Sequence, residues 1–160
     1  MQLTVDLAAQ RLTLWQGMVA GPAWPVSTAS HGPGEIQGSG CTPRGRHIVR
    51  AKIGAGAAPG TVFKGRRLAR DVPLHTPEAD AAFPERDWIL SRILWLSGCE
   101  PGFNRLGCVD TMRRYIYIHG TPHREALGRP ASHGCIRMSN ADVIELFDLV
   151  SVGTLVTLHE

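Results

Sequence analysis

The sequence lacks the patterns that mark several common functional classes. No stretch of the chain is apolar enough to span a bilayer, which argues against a transmembrane helix. No long run of like charge occurs either: 17 basic and 14 acidic residues give a net charge of +3, and basic residues lie in short pairs such as Arg66-Arg67. This distribution is typical of a solvated surface and not of a nucleic-acid-binding face. We therefore expect neither a membrane nor a nucleic acid among the partners.

The chain has four cysteines, at positions 41, 99, 108 and 135, but no Cys-x-x-Cys pair. Free thiols suit a reducing compartment. Cys99 and Cys108 would pair only in an oxidising setting, and nothing in the sequence requires that pair. The N-terminus also lacks the basic start and the apolar core of a secretory signal. We expect a cytoplasmic protein if Met1 is the natural start, and a periplasmic one if the natural chain begins earlier.

Two short motifs carry the strongest chemical signal. Residues 132–137 read Ser-His-Gly-Cys-Ile-Arg, and residues 118–120 read Ile-His-Gly. A cysteine attacks as its thiolate, yet an ordinary thiol with a pKa of about 8.5 is mostly protonated at neutral pH, so a nearby base has to take the proton. The motifs make Cys135 the candidate nucleophile, with His119 and His133 as candidate bases.

The two histidines reach Cys135 in different ways. His133 stands two residues before Cys135, and that spacing puts both side chains on one face of an extended segment. His119 follows residues 114–118, a β-branched and aromatic run that predicts a buried strand. A histidine at the end of a strand is held rigidly, as a general base requires.

The remaining motif residues are candidates for oxyanion or substrate binding. Gly134 allows a tight turn, so a carbonyl substrate can approach the amides of Gly134 and Cys135, which would form an oxyanion hole. Arg137 would either bind a substrate carboxylate or brace the loop. Tyr117 would flank the site or pack in the core, and Ser132, which opens the motif, joins the candidate binding residues.

Together, these motifs resemble the signature of the L,D-transpeptidase catalytic domain, or YkuD, family. Further matches follow in the family's order and extend over nearly the whole chain: residues 3–7 and 10–15, Thr-Pro-Arg-Gly at 42–45, and Gly-Thr-Leu-Val at 153–156. Residues 54–113 follow the family pattern poorly.

The resemblance implies a role for each motif residue. Cys135 would be the nucleophile, and His119 its base, oriented through the backbone carbonyl of Gly120. His133, Gly134 and Arg137 would line the site. We expect no cofactor and no metal.

The resemblance also implies a substrate and a reaction. The partner would be a peptidoglycan stem peptide or a muropeptide, cut between the L-centre of a diamino acid and the terminal D-alanine of a tetrapeptide stem. Attack by Cys135 would leave the stem bound to the enzyme as a thioester. Transfer of the acyl group from this thioester to water would make the protein an L,D-carboxypeptidase of murein recycling. We favour this outcome because cross-linking requires export. Transfer to the amine of another stem, or exchange of a D-amino acid, would make it an L,D-transpeptidase.

Hypotheses of another class compete with this one. His119, His133, Cys135, Cys99 and Cys108 supply enough nitrogen and sulfur ligands for a zinc-stabilised binding module. A cell-wall-binding module without catalysis is a further alternative, although recognition alone does not require a cysteine beside two histidines.

The patterning predicts a single domain over residues 1–160 that is mostly β. The family resemblance implies a β-sandwich or curved mixed sheet, with one packed α-helix near the C-terminus. Alternation predicts a hairpin over the first fifteen residues, a third strand ending near Val26, and strands at 47–52 and 154–158. The helix should follow the cap residue Ser139 and break at Gly153.

The middle of the chain is harder to assign. Residues 54–113 are predicted to form an irregular insertion. Within it, the apolar run at 88–96 is ambiguous in type, and we favour a strand for its latter half. The glycine content of this insertion, and its position between the core strands, suggest a lid over the site, which deletion of residues 54–60 would test.

Overall fold

Ten β-strands and two α-helices form the regular structure of a computed structural model that describes all residues 1–160. The strands are β1 (Gln2–Asp6), β2 (Arg11–Gln16), β3 (Val19–Pro25), β4 (Gly45–Ile53), β5 (Val62–Lys64), β6 (Arg67–Leu68), β7 (Ile89–Gly98), β8 (Tyr117–Gly120), β9 (Ile136–Met138) and β10 (Leu155–His159). The helices are α1 (Pro77–Ala82) and α2 (Asn140–Leu149), with single 3₁₀ turns at Gly107–Val109 and Arg124–Ala126. The fold is therefore mostly β, as predicted, and no helix has the length and apolar character needed to cross a bilayer.

All ten strands belong to one mixed sheet. Eight of them follow the order β3-β2-β1-β10-β4-β7-β5-β6, while β8 pairs with β7, and β9 pairs with β8. The pairs β1/β10 and β8/β9 are parallel, and the other pairs are antiparallel. The predicted N-terminal hairpin is present, with Leu3 opposite Leu14 and Asp6 opposite Arg11. The first and last strands pair side by side within the sheet.

The main hydrophobic core includes one face of this sheet and the inner face of α2. Apolar residues alternate along β1 and β2, and because strand side chains alternate between faces, these residues enter the core together: Leu3, Val5, Leu12 and Leu14. From α2, Val143, Leu146 and Phe147 join the same core at helical spacing. The helix packs against β7 and β8.

Both ends of α2 are fixed by hydrogen bonds. The side chain of Ser139 caps the helix as predicted, because its Oγ accepts a hydrogen bond from the N–H of Asp142 at 3.1 Å. At the other end, Lys52 Nζ donates to the carbonyl oxygens of Phe147 and Val150 at 2.6 and 2.7 Å, which satisfies groups that a helix end leaves unpaired. The helix is thus held firmly beside β8.

Residues 54–113 are more regular than the sequence predicted. They contain β5, β6, α1 and the whole of β7, which pairs with β4, β5 and β8. The strand in the apolar run extends over Ile89–Gly98 and not only over its latter half. A short helix, α1, accompanies the predicted C-terminal one; Thr76 caps it, and its proline stands in the first turn.

The strand that carries His119 is displaced from its predicted position. Residues 114 and 115 lie in a turn, where Tyr115 has a φ of +55°, and β8 starts only at Tyr117. Asp110 stabilises the turn, since its Oδ1 accepts a hydrogen bond from the N–H of Arg113 at 3.0 Å. His119 therefore lies within β8 instead of just after a strand.

Candidate active site

Pairing of β8 with β9 brings the two sequence motifs together. In this parallel pair, Ile118 lies opposite Ile136, and His119 lies opposite Arg137. Ile118 and Ile136 enter the main core. Because side chains alternate along a strand, His119 points to the other face of the sheet, where Cys135 packs against a second apolar cluster.

The thiol of Cys135 is bound by backbone groups. Its Sγ accepts a hydrogen bond from the N–H of Tyr117 at 3.3 Å and donates one to the carbonyl oxygen of Tyr115 at 3.4 Å. Burial raises the pKa of the thiol to about 12, and the Tyr117 N–H opposes this rise because it stabilises the thiolate. The thiol is therefore protonated at pH 7 and has to lose its proton during attack.

His119 is wholly buried and held in one tautomer. Its Nδ1 donates a hydrogen bond to the carbonyl oxygen of Gly120 at 2.8 Å, the interaction that the family resemblance implied. Because a carbonyl oxygen only accepts, Nδ1 carries the proton and Nε2 does not. Nε2 is buried without a hydrogen-bond partner, and burial lowers the pKa of the imidazole. A neutral imidazole with an unused lone pair is suited to be a general base.

The backbone permits only glycine at position 120. A Cβ added there would lie 2.6 Å from the carbonyl oxygen of Leu90 and would also collide with Asn140. Leu90 comes this close because β7 bulges opposite Gly120, with Ser91 at a φ of +68°. Ser91 Oγ donates to Asn140 Oδ1 at 2.7 Å and so ties the bulge to α2. These contacts fix the carbonyl group that orients His119.

The loop that precedes β4 packs against the turn at Gly134 and Cys135 and is hydrogen-bonded to it. Thr42 Oγ1 donates to the carbonyl oxygen of Gly134 at 2.9 Å and accepts from the N–H of Ala29 at 2.9 Å. Gly134 has a φ of +135°, and a Cβ there would lie only 3.3 Å from the carbonyl oxygen of Cys41. Glycine at 134 therefore lets this loop pack closely against the nucleophile.

Of the two amides predicted to form an oxyanion hole, one is free. The N–H of Gly134 donates to Ser132 Oγ at 3.2 Å, whereas the N–H of Cys135 makes no hydrogen bond within the chain. Ser132 Oγ in turn donates to the carbonyl oxygen of Cys135 at 2.6 Å. Ser132 is buried, so it braces the turn and does not face a substrate. The Cys135 amide is the available oxyanion donor, and a role for Gly134 stays a prediction.

Asp87 is a site residue that the sequence analysis missed. Its Oδ1 accepts a hydrogen bond from Arg137 Nη2 at 2.7 Å, and its Oδ2 lies 3.7 Å from His133 Nδ1. Burial opposes its ionisation, but the positive charge of Arg137 and the hydrogen bond that Arg137 donates lower its pKa. Arg137 also donates to the carbonyl oxygen of Ala131 at 3.2 Å. These contacts fit the bracing role that the sequence left open, and the role itself stays a prediction. No sequence signal marks an aspartate so distant from the motifs.

Cys135 opens into a cleft of about 360 Å³. The cleft is lined by Gly65, Arg66, Asp87, Ile89, Arg114, Tyr115, Ile116, Tyr117, His133 and Cys135. His133 is exposed at this site, whereas Tyr117 is buried and packs edge-on against Trp95 as well as lining the cleft. Within the predicted insertion at 54–113, the tip of the β5–β6 hairpin lines the cleft, whereas residues 54–60 do not. A lid function of the insertion stays a prediction. A larger cavity of about 720 Å³ contains neither cysteine nor histidine; it is lined by Lys64, Arg67, Leu68, Ala69, Arg70, Asp71 and Pro73.

The ligand set proposed for zinc does not assemble. No three His, Cys, Asp or Glu side chains lie together in a way that would hold a metal ion, and all four cysteines are free thiols. His119 and His123 have the spacing of a ligand pair, but His123 lies instead beside Asp80 and Glu125. The structure therefore contains no zinc site of the kind that the zinc-stabilised hypothesis requires.

Comparison with known proteins gives the same assignment as the motifs. The model of the L,D-transpeptidase catalytic domain (YkuD) family matches residues 1–158. YkuD and YqjB of Bacillus subtilis (strain 168), both named as candidate L,D-transpeptidases, are 47% identical over 47 residues and 44% identical over 59 residues. These matches cover 29% and 37% of this chain, and 29% and 32% of the two relatives.

Solved structures share the fold. L,D-transpeptidase 3 from Mycobacterium tuberculosis matches with a TM-score of 0.60 and 18% identity, over 99% of this chain and 60% of that one. An L,D-transpeptidase solved in complex with imipenem matches with a TM-score of 0.57 and 19% identity, over 98% of this chain and 57% of that one. This chain thus spans less than two thirds of the proteins it matches. Because the family model extends over nearly the whole chain and the fold agrees, the chain belongs to the L,D-transpeptidase catalytic domain (YkuD) family.

Proposed function

We propose that this domain is an L,D-carboxypeptidase that removes the terminal D-alanine from peptidoglycan tetrapeptide stems. The family supplies the reaction class, which is acyl transfer at an L,D-peptide bond. The observation that supports the chemistry is the arrangement of a cleft-lining Cys135 with a buried His119 whose Nδ1 is held by Gly120 and whose Nε2 is unused. A cleft of about 360 Å³ suits the end of one stem, and water as the acyl acceptor needs no further binding site.

The first half-reaction forms a thioester. The Cys135 thiol attacks the carbonyl carbon of the diamino acid while its proton passes to Nε2 of His119. Negative charge develops on the carbonyl oxygen, where the free N–H of Cys135 stabilises it. His119 then gives the proton to the nitrogen of the leaving D-alanine as the carbon–nitrogen bond breaks.

The second half-reaction regenerates the enzyme. His119 takes a proton from water, which attacks the thioester carbonyl, and the Cys135 sulfur leaves and regains its proton from the imidazolium. The tripeptide stem is released as a carboxylate. The hydrogen bond from Nδ1 to Gly120 keeps the ring in the orientation that both half-reactions need.

Transpeptidation is the second candidate, because a second cleft adjoins the first. It measures about 420 Å³ and shares Arg114, Tyr115, Ile116 and His133 with the cleft at Cys135. An acceptor stem in this second cleft would present its amine to the thioester in place of water. The product would be a 3-3 cross-linked dimer or a stem with an exchanged D-amino acid.

Mass spectrometry of reaction products distinguishes these activities. A disaccharide-tetrapeptide and a free tetrapeptide are incubated with wild type, Cys135→Ala, and Cys108→Ala, which removes an exposed thiol outside the cleft. Loss of one alanine with wild type and Cys108→Ala alone supports the carboxypeptidase, whereas dimers or exchange products support the transpeptidase. Unchanged substrate with every protein refutes both. Action on recycled muropeptides in the cytoplasm is part of the proposal and is tested by cell fractionation.

Acylation by imipenem tests the nucleophile without a stem peptide. A structurally similar L,D-transpeptidase was solved in complex with imipenem. We expect the intact mass of wild type and of Cys108→Ala to rise by one imipenem, while Cys135→Ala keeps its mass. Labelling of the Cys135→Ala protein would show that another group is the nucleophile.

A further inference from the structure

We propose that Arg66 is a substrate-binding residue whose guanidinium holds a carboxylate of the stem peptide in the cleft that contains Cys135. This inference rests on the proposed function, because the stem is the source of the carboxylate. The evidence comes from the backbone of the β5–β6 hairpin, from the contacts of the Arg66 side chain, and from the charges of the cleft.

Arg66 occupies a backbone position that disfavours a side chain. Lys64 pairs with Arg67 across the hairpin, so Gly65 and Arg66 form a two-residue turn. Their φ angles are +56° and +64°, as in a type I′ turn, whose second position is best filled by glycine. The turn itself therefore does not explain an arginine here, and strained positions of this kind cluster at functional sites.

Aromatic residues hold the Arg66 side chain in the cleft. Its guanidinium carbon lies 4.9 Å from the ring centre of Trp95 and 4.7 Å from that of Tyr115, and Nη1 donates to the Tyr117 hydroxyl at 3.0 Å. No carboxylate of the protein pairs with it. Only one of its five N–H groups is used within the chain, so the others are available to a ligand.

The residues that hold Arg66 also contact the nucleophile. The carbonyl oxygen of Tyr115 and the N–H of Tyr117 are the two groups that bind Cys135 Sγ. A ligand bound by Arg66 would therefore lie close to the reacting thiol. A tetrapeptide stem has a carboxylate on its terminal D-alanine and, for some diamino acids, another at the end of the diamino acid side chain. A planar guanidinium binds either of them through two parallel hydrogen bonds.

The other charges of the cleft also favour an anionic ligand. Arg114 lines the cleft and donates only to backbone carbonyls and a serine hydroxyl, so its charge has no carboxylate partner either. The one acidic residue in the lining, Asp87, is already paired with Arg137. The protein thus leaves two guanidinium charges in this cleft unneutralised.

Peptide binding to Cys135→Ala tests the proposal without turnover. Titration calorimetry measures the Kd of a tetrapeptide for this protein and for the same protein carrying Arg66→Met or Arg67→Met. Arg67 is the matched control, since it is the next residue of the hairpin, is exposed, and faces the larger cavity instead of the cleft. We expect Arg66→Met to weaken binding about 10- to 100-fold and Arg67→Met to leave it within about 3-fold. Thermal unfolding checks that each variant is folded.

Amidated peptides identify the carboxylate. Tetrapeptides amidated either at the D-alanine or at the diamino acid side chain are titrated in the same way. The peptide that lacks the bound carboxylate should bind the Arg66→Met protein and its parent equally well. An Arg66 effect that persists when every carboxylate of the peptide is amidated would overturn the proposal. Equal effects of the two arginine substitutions, or no binding at all, would overturn it as well. Cleavage by wild type is scored separately, so failure of the proposed function is distinguishable.

Discussion

Replacement of Asp87 by asparagine would leave Arg137 without its carboxylate partner. The Arg137 side chain is only 9% exposed, and its Nη2 lies 2.7 Å from Asp87 Oδ1. Removal of one partner from a fully buried ion pair typically costs about 3–5 kcal/mol. Because the Asp87 side chain is 37% exposed, water screens this pair, and we expect Asp87→Asn to cost about 2–3 kcal/mol. For a chain of this size, that corresponds to a fall in Tm of about 5–10 °C.

A more exposed ion pair provides the matched control for this prediction. Asp71 binds Arg86 at 2.9 Å, with the two side chains 47% and 18% exposed, so Asp71→Asn should lower the free energy of unfolding less than Asp87→Asn does. Thermal unfolding followed by circular dichroism, and urea unfolding at pH 7, give the two free energies of unfolding. Equal stability of the two variants would refute the argument that Asp87 stabilises the buried guanidinium.

Three further predictions concern histidines and a glycine. Burial lowers the pKa of His47 to about 4, so the stability that neutral His47 contributes above pH 6.5 should fall by up to about 3 kcal/mol as the pH drops towards 4. Urea unfolding at several pH values measures this loss of stability, and a free energy of unfolding that does not change between pH 6.5 and 4.5 would contradict the prediction. His119→Gln should lower kcat for D-alanine release by about 100-fold or more with little change in KM, and an effect on KM alone would contradict a role as base. Gly120→Ala forces a Cβ against the Leu90 carbonyl, so it should cost about 1–3 kcal/mol, and an unchanged Tm would contradict the close approach.

Strands in which every second residue is apolar could be predicted from the sequence. Every second residue along the N-terminal hairpin and β10 is apolar and buried, and one buried face is enough to specify these strands. Helix α2 was equally readable, because its serine cap and its apolar spacing agree. Helix α1 has only six residues and no buried side chain, so neither periodicity nor burial marks it in the sequence.

Long-range pairing decided the parts of the fold that the sequence did not reveal. Strand β7 lies within a segment that follows the family pattern poorly, yet it pairs with three other strands. The sequence of an apolar strand does not show which other strands it pairs with, because pairing depends on the whole sheet. The displacement of β8 has the same origin: the Asp110 turn keeps residues 114 and 115 out of a run that propensity alone assigns to a strand.

The sequence by itself determined the family and the candidate chemical groups, Cys135 and His119, because these residues lie in short motifs whose order and spacing are local properties of the chain. Only the tertiary structure decided what surrounds them. Asp87 and Arg66 come from distant segments and reach the cleft through the sheet and the β5–β6 hairpin. Whether an arginine such as Arg137 braces a loop or faces a ligand depends on which charge lies beside it, and that proximity exists only after β7, β8 and β9 have paired.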